Sequence, residues 1–195
     1  MHLSTEQIAG LNLALDEATL LGVEVRPDRC GAAATLAVLT LPEDGPSPAD
    51  RRRQFRFSPV GRVVASLRNG TWDDDSLPAE AFTIEQLLPL VQSFDGCPIY
   101  GADFMDSETG FSRWSGRLSF DFTCDSRATE HSITFCQEGG FERVLHIRLW
   151  FRDLQIRDAL GNEIALDEFI AGGKRWWDGL RSGDPRTEGF GISLV

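Results

Sequence analysis

The sequence predicts an α+β domain: an antiparallel sheet of about eight to nine strands in a meander-like order, covered by about three helices. Three observations carry this. Strand-like segments outnumber helical ones about three to one, their apolar residues alternate along one side, and the connections between them are short. With 195 residues the chain is long enough to bury a core without a disulfide or metal, and it reads as one domain over residues 1–195.

The first element is helical. Ser4 followed by Gln7 makes a capping box, and Ile8, Leu11 and Leu15 recur at helical spacing, which predicts a helix over residues 5–15. Leu21, Val23 and Val25 then alternate with Gly22 and Glu24. After the turn residues Arg26, Pro27 and Asp28, a second alternating run spans 34–41, and the two are expected to pair as a hairpin. Residues 42–53 hold three prolines, a glycine and mixed charge, and are expected to form a mobile loop. Phe55 and Phe57, a turn at Ser58-Pro59-Val60-Gly61, and a return strand through Val63, Ala65 and Leu67 to Asn69-Gly70 predict a second hairpin.

Trp72 and the triplet Asp73, Asp74 and Asp75 read as an acidic surface loop, without the spacing of a calcium loop. Thr83 opens a helix through Leu87, Leu88, Leu90 and Val91, which Pro89 keeps short or kinked. Strands follow at residues 99–105, at Leu118, Phe120 and Phe122, at Ile133 and Phe135, and at Leu145, Ile147, Leu149 and Phe151; Leu154 and Ile156 suggest one more before a turn at Gly161-Asn162. Asp167 is the expected cap of a last helix containing Phe169, Ile170, Trp176, Trp177 and Leu180, weakened by Gly172 and Gly173. Residues 183–195 are expected as an irregular tail in which Ile192 and Leu194 dock as an edge strand.

Composition excludes several classes. Hydrophobic residues make up 42%, aromatic 10% and charged 25%, which is globular and neither disordered, collagenous nor coiled-coil. No apolar run approaches the ~18 residues of a membrane span, and the start MHLSTEQ lacks a basic-then-apolar leader, so a cytoplasmic location is expected. Thirty acidic against nineteen basic residues give a net charge of −11, which repels phosphate backbones and anionic lipid; neither nucleic acid nor membrane is an expected partner. All the basic residues except Lys174 are Arg, a skew that points to GC-rich bacterial coding and supplies forked donors for specific contacts. Cys30, Cys97, Cys124 and Cys136 fall at irregular spacings with no Cys-x-x-Cys, so reduced thiols are expected.

Candidate chemistry comes from strand parity. Cys124, His131, Cys136 and His146 have the composition of a zinc site, but alternation puts Cys124 on the core side and Cys136 and His146 on the other, so neither metal nor cofactor is expected. The outer face collects Asp121, Thr134, Cys136, His146, Arg148 and Trp150. If Thr134 lies opposite His146, Cys136 is its diagonal neighbour, and an imidazole beside a thiol makes a nucleophile; a solvated or helix-covered face weighs more heavily. Arg148, Trp150 and Arg152, joined by Arg157, form an anion or protein contact patch, or else a stripe neutralised by Asp153 and Asp158. Trp176 and Trp177 cannot share a helix face, so one anchors a partner or lies under the tail. No Gly-x-Ser-x-Gly, Walker loop, dinucleotide fingerprint or His-Glu-x-x-His occurs.

The residues thus suggest a non-enzymatic, acidic protein-binding module, such as an immunity or antitoxin-type inhibitor with a basic protein partner, contacting it through Arg148, Trp150, Arg152, Trp176 and Trp177. The alternative is a small-molecule binding protein or enzyme using the patch around Cys136, His146 and Arg148. On this reading, truncating Phe120, Phe122, Ile147 or Leu149 is expected to destabilise far more than truncating Thr134 or Arg148.

Overall fold

The structure is a computed structural model that describes residues 2–71, 77–94, 99–105, 111, 115–139 and 143–189. In chain order it contains α1 (Thr5–Leu15), β1 (Thr19–Arg26), β2 (Gly31–Ala37), β3 (Arg52–Asn69), α2 (Leu87–Gln92), β4 (Ile99–Met105), β5 (Phe120–Thr123), β6 (His131–Gly139), β7 (Arg143–Arg157), β8 (Glu163–Ile164) and α3 (Leu166–Ser182). This is the expected α+β class, with every strand pair antiparallel. Among the described residues no helix is long and apolar enough to cross a membrane.

The strand order β1-β2-β3-β7-β6-β4 is only partly a meander. β3 leaves its sequence neighbour to pair with β7, and β4 pairs with β6; β5 adds to β3 and β8 to β7. Two long strands replace four expected short ones. Ser58-Pro59-Val60-Gly61 is not a turn: β3 runs straight through it, with a cis Ser58–Pro59 bond and a register shift between Val60 and Arg62. Pro59 sits where the neighbour on one edge of β3 changes: β2 pairs as far as Phe57 and β5 begins at Arg62, while on the other edge β7 pairs with Ser58 and Val60 on either side of it. Leu154 and Ile156 likewise continue β7 instead of starting a new strand.

Among the described residues, the three helices cover one sheet face. Leu11, Ala14 and Leu15 from α1, Leu87 and Val91 from α2 and Phe169 from α3 join Phe55, Phe57, Val63, Ala65, Ile133, Phe135, Ile147 and Leu149 in one core. The Ser4–Gln7 capping box forms as expected. Thr83 and Gln86 make a second box that opens a short 3-10 turn before α2, so Pro89 falls in the first turn of the α-helical part, where its missing donor is tolerated. α3 begins after Ala165 without a side-chain cap, and Asp167 lies in its first turn instead of capping it.

The glycines expected to weaken α3 have a packing role. A Cβ on Gly173 would stand 2.6 Å from the Ala14 Cα, so glycine lets α1 and α3 cross in contact. Irregular chain follows β2 from Val38 to Arg51, while Arg52 and Arg53, expected in the loop, begin β3. The tail forms a short turn at Pro185–Thr187. The expected acidic loop at Asp73–Asp75 and the edge strand at Ile192 and Leu194 lie outside the described residues.

The expectation of reduced thiols is corrected for Cys30 and Cys124, while Cys97 lies outside the described residues. Cys30 and Cys124 form a disulfide with a Cα separation of 5.5 Å, while Cys136 is a buried thiol. Spacing along the chain carried no sign of this pair, 94 residues apart, because β3 brings them together: the Val60 amide donates to the Cys30 carbonyl at 2.6 Å and the Cys124 amide to the Gly61 carbonyl at 2.9 Å. A Cβ on Gly61 would lie well inside contact distance of the Ala128 carbonyl, so only glycine lets the chain after β5 fold across this junction.

The two close approaches set the first prediction. Gly61→Ala and Gly173→Ala should each destabilise by about 1–3 kcal/mol in urea melts through overpacking against backbone. Gly116→Ala, with nothing within 4 Å of its Cβ, should leave the midpoint almost unmoved.

Candidate ligand site on the second sheet face

Register decides which side chains share the face turned away from the helices. Across β3, β7 and β6 it sets Arg62, Trp150 and Ser132 in one row, Val64, Arg148 and Thr134 in the next, then Ser66, His146 and Cys136, then Arg68, Val144 and Glu138. These alternate with the core residues of the same strands. Cys136 is therefore directly opposite His146, not diagonal to it, and Thr134 faces Arg148; the expected register was off by two residues.

This face, expected to be either solvated or helix-covered, is largely buried. Arg68 is 0% exposed and Arg148 1%, and Val64, Ser66, Ser132, Cys136, Val144 and Trp150 are buried. Phe111 and Leu118 pack with Val64 and Trp150 on this face, in a cluster separate from the main core. One-sided alternation reports only where the apolar residues point. It does not reveal that a later segment returns to cover the polar side.

Two guanidiniums share the aromatic pair. The Arg148 Cζ lies 4.9 Å from the Trp150 ring and 5.6 Å from Phe111; the Arg62 Cζ lies 5.4 Å and 5.6 Å from the same two rings. Ring faces stabilise a desolvated cation, which offsets part of the penalty for removing it from water. Arg148 also donates from Nη2 to the Ser132 hydroxyl at 2.8 Å. At the rim, Arg62 donates to both oxygens of Asp121, at 2.8 and 2.6 Å.

Arg68 reaches His146, with Nη2 3.0 Å from Nδ1. Because a guanidinium can only donate, Nδ1 accepts and the imidazole proton sits on Nε2, which makes that nitrogen a donor. The face thus offers two buried guanidiniums, an imidazole, the hydroxyls of Ser66, Ser132 and Thr134, the Cys136 thiol and an aromatic wall. This chemistry suits a small molecule that carries a carboxylate or phosphate beside an apolar part.

The other expected contact residues are dispersed. Arg152 is half-exposed and bonded to Glu130, whose carboxyl it holds below the usual range; that bond and, more weakly, the charge of Asp153, one of the carboxylates weighed from the sequence, hold the Arg152 guanidinium up. Trp176 and Trp177 are both buried on the helical side of the sheet, packed with Leu39 and Leu41, and Trp177 Nε1 donates to the Leu13 carbonyl at 2.9 Å. Arg148, Trp150, Arg152, Trp176 and Trp177 therefore do not form one surface. Of the four residues weighed for zinc, Cys124 is in the disulfide, and His131 Nε2 accepts from the Leu3 amide, far in role from Cys136 and His146.

Sequence reasoning missed Arg68 and Ser66. Arg62, Val64, Ser66 and Arg68 occupy the even positions between Val63, Ala65 and Leu67, so the parity argument applied to β6 and β7 would have found them had the pairing of β3 with β7 been known. A groove of about 310 Å³ lies beside the β7–β8 turn, lined in part by Arg53 and Asp158. There burial pushes the Arg53 guanidinium down, and the Asn162 side chain holds the Asp158 carboxyl below its usual range. Arg53 donates to the carbonyls of Asp50 and Arg52, and Asp158 caps the turn, which gives both structural roles.

Comparison with protein-family models, with curated proteins and with solved structures finds no match to this chain.

Burial closes the expected gap between Arg148 and the core residues. Arg148→Ala should destabilise on the scale of a core truncation, about 3 kcal/mol in denaturant melts. Arg152→Ala, which breaks an exposed ion pair, should scarcely move the same transition.

Proposed function

We propose that the protein binds a small anionic molecule, a carboxylate or phosphate with an apolar portion, on the second face of its sheet and without catalysing a reaction. Arg68 and Arg148 supply the charge, His146 and the hydroxyls of Ser66, Ser132 and Thr134 supply orientation, and Trp150 and Phe111 supply the apolar wall. The observation that carries this reading is the burial of two guanidiniums, at 0% and 1% exposure, on one sheet face beside an imidazole and two aromatic rings. Forked donors in a site of low dielectric bind anions far more strongly than the same groups in water.

The overall charge sharpens the test. A chain of net charge −11 repels anions at long range, so specific stabilisation by one points to a local site. Inorganic phosphate, citrate and an aromatic carboxylate, titrated against chloride at matched ionic strength, should include at least one that raises Tm by about 5 °C near saturation. Arg68→Lys or Arg148→Lys keeps the charge but loses the planar fork, and should remove most of that rise. A uniform response to all salts would sink the reading.

The net charge favours a second reading, the acidic module for a basic protein partner. On that reading, association with a basic protein should slow steeply with salt and be insensitive to Arg148→Lys.

A further inference from the structure

Arginines across the surface of this acidic chain close ion pairs with nearby carboxylates, as Arg52 does with Asp50, Arg152 with Glu130 and Arg186 with Asp184. Among the described residues, Arg53, Arg56 and Arg157 do not, and all three stand around Gln54 near the start of β3. Arg53 precedes Gln54 in the strand, Arg157 lies opposite it on β7, and Arg56 donates from Nε to its Oε1 at 2.6 Å. Gln54 in turn lines the groove beside the β7–β8 turn, together with Thr35, Arg53 and Gly161. Arg53 is 8% exposed. Its Nη1 holds the Asp50 and Arg52 carbonyls, while Nε and Nη2 donate to no group among the described residues. The carboxylates nearby are otherwise engaged. Asp50 is bound through both oxygens by Arg52, Asp158 accepts from the Leu160 and Asn162 amides and the Asn162 side chain, and Glu163, opposite Arg157 in the ladder, is exposed and bonds to no described cation.

We propose that this groove binds a small oxyanion, a carboxylate or a phosphate, on the Nε and Nη2 of Arg53, with Arg157 at its rim. These two nitrogens lie on one edge of the guanidinium plane, and their N–H groups form a fork that matches two oxygens of either ligand group. The bonds from Nη1 fix the plane before the ligand arrives, so little side-chain freedom is lost on binding. Burial works against the Arg53 charge, and an anion at the open edge replaces the water that burial has removed. Around Gln54 the cations Arg52, Arg53, Arg56 and Arg157 outnumber the acids Asp50, Asp158 and Glu163, which makes this corner locally cationic on a chain of net charge −11. The groove, about 310 Å³, has room for a compact ligand, and Leu160, 87% exposed, gives its rim an apolar surface for the organic part. The site shares no residue with the second-face site proposed above and does not depend on it.

Inorganic phosphate and acetate are titrated separately into isotope-labelled protein near neutral pH, with chloride at matched ionic strength as the reference, and followed by two-dimensional amide NMR that includes the arginine Nε–H signals. At least one of the two oxyanions should give saturating shifts of the Arg53 Nε–H and of the Gln54 and Gly161 amides, and chloride should not. Saturation by one of them alone assigns the acidic group of the ligand. Arg157 makes no hydrogen bond or ion pair among the described residues, so Arg157→Gln should keep the unliganded Tm while weakening the binding about fivefold. Arg53→Lys, which keeps the charge and loses the fork, should weaken it about tenfold. Shifts that rise linearly and equally with all three salts would overturn the site, and so would saturating shifts with the same Kd in both variants; should Arg53→Lys not fold, Arg157→Gln decides alone. The two sites fail separately. Saturating shifts confined to Ser132, Thr134 and Arg148 refute the groove and not the second-face reading, and shifts confined to the groove do the reverse.

Discussion

The pairing of β3 with β7 is the constraint on which the rest of the structure depends. It runs from Gln54 opposite Arg157 to Asn69 opposite Arg143, and every other strand except β1 and β4 attaches directly to one of these two. Because side chains alternate along both strands, one register sends Val63, Ala65, Leu67, Leu145, Ile147 and Leu149 toward the helices, and Arg62, Ser66, Arg68, His146, Arg148 and Trp150 to the opposite face. A slip of one residue would turn one of the two strands over and put Arg62 and Arg68, or else His146 and Arg148, in the apolar core, so the register is strongly specified.

That arrangement explains how charged groups come to be buried without destabilising the fold outright. The helical face supplies the apolar burial, with α1, α2 and α3 packed on one continuous core. The second face then carries guanidiniums whose desolvation is offset by the Trp150 and Phe111 rings, the Ser132 hydroxyl and the His146 nitrogen. A face built on the two longest strands of a sheet is held more rigidly than one built on loops.

The junction at Pro59 to Gly61 links the two faces to the disulfide. There β3 changes neighbour from β2 to β5, and Gly61 admits the chain past Ala128. Cys30 and Cys124 meet over this step because the two strands that precede and follow it on one edge of β3 begin and end there. A position that reads as a turn in the sequence is thus the point where the sheet is fastened.

Local signals in the sequence determined the α+β class, α1 with its capping box, the hairpin of β1 and β2, and the inward parity of β6 and β7, because each depends on periodicity within a few turns or one strand pair. Parity also placed Cys136, His146, Arg148 and Trp150 together on one face before any register was known. Tertiary structure decided the rest. That Ser58–Gly61 continues a strand, that Cys30 meets Cys124, that Arg68 and Ser66 join the face, and that Phe111 and Leu118 bury it all follow from contacts between segments far apart in the chain. Trp176 and Trp177 show the same limit. Adjacent positions on a helix point about 100° apart, yet the two indoles turn toward each other, edge to face with ring centroids 4.9 Å apart, and both are buried in one cluster with Leu39 and Leu41. Periodicity reports which way a side chain points, and only the assembled chain determines what stands in front of it.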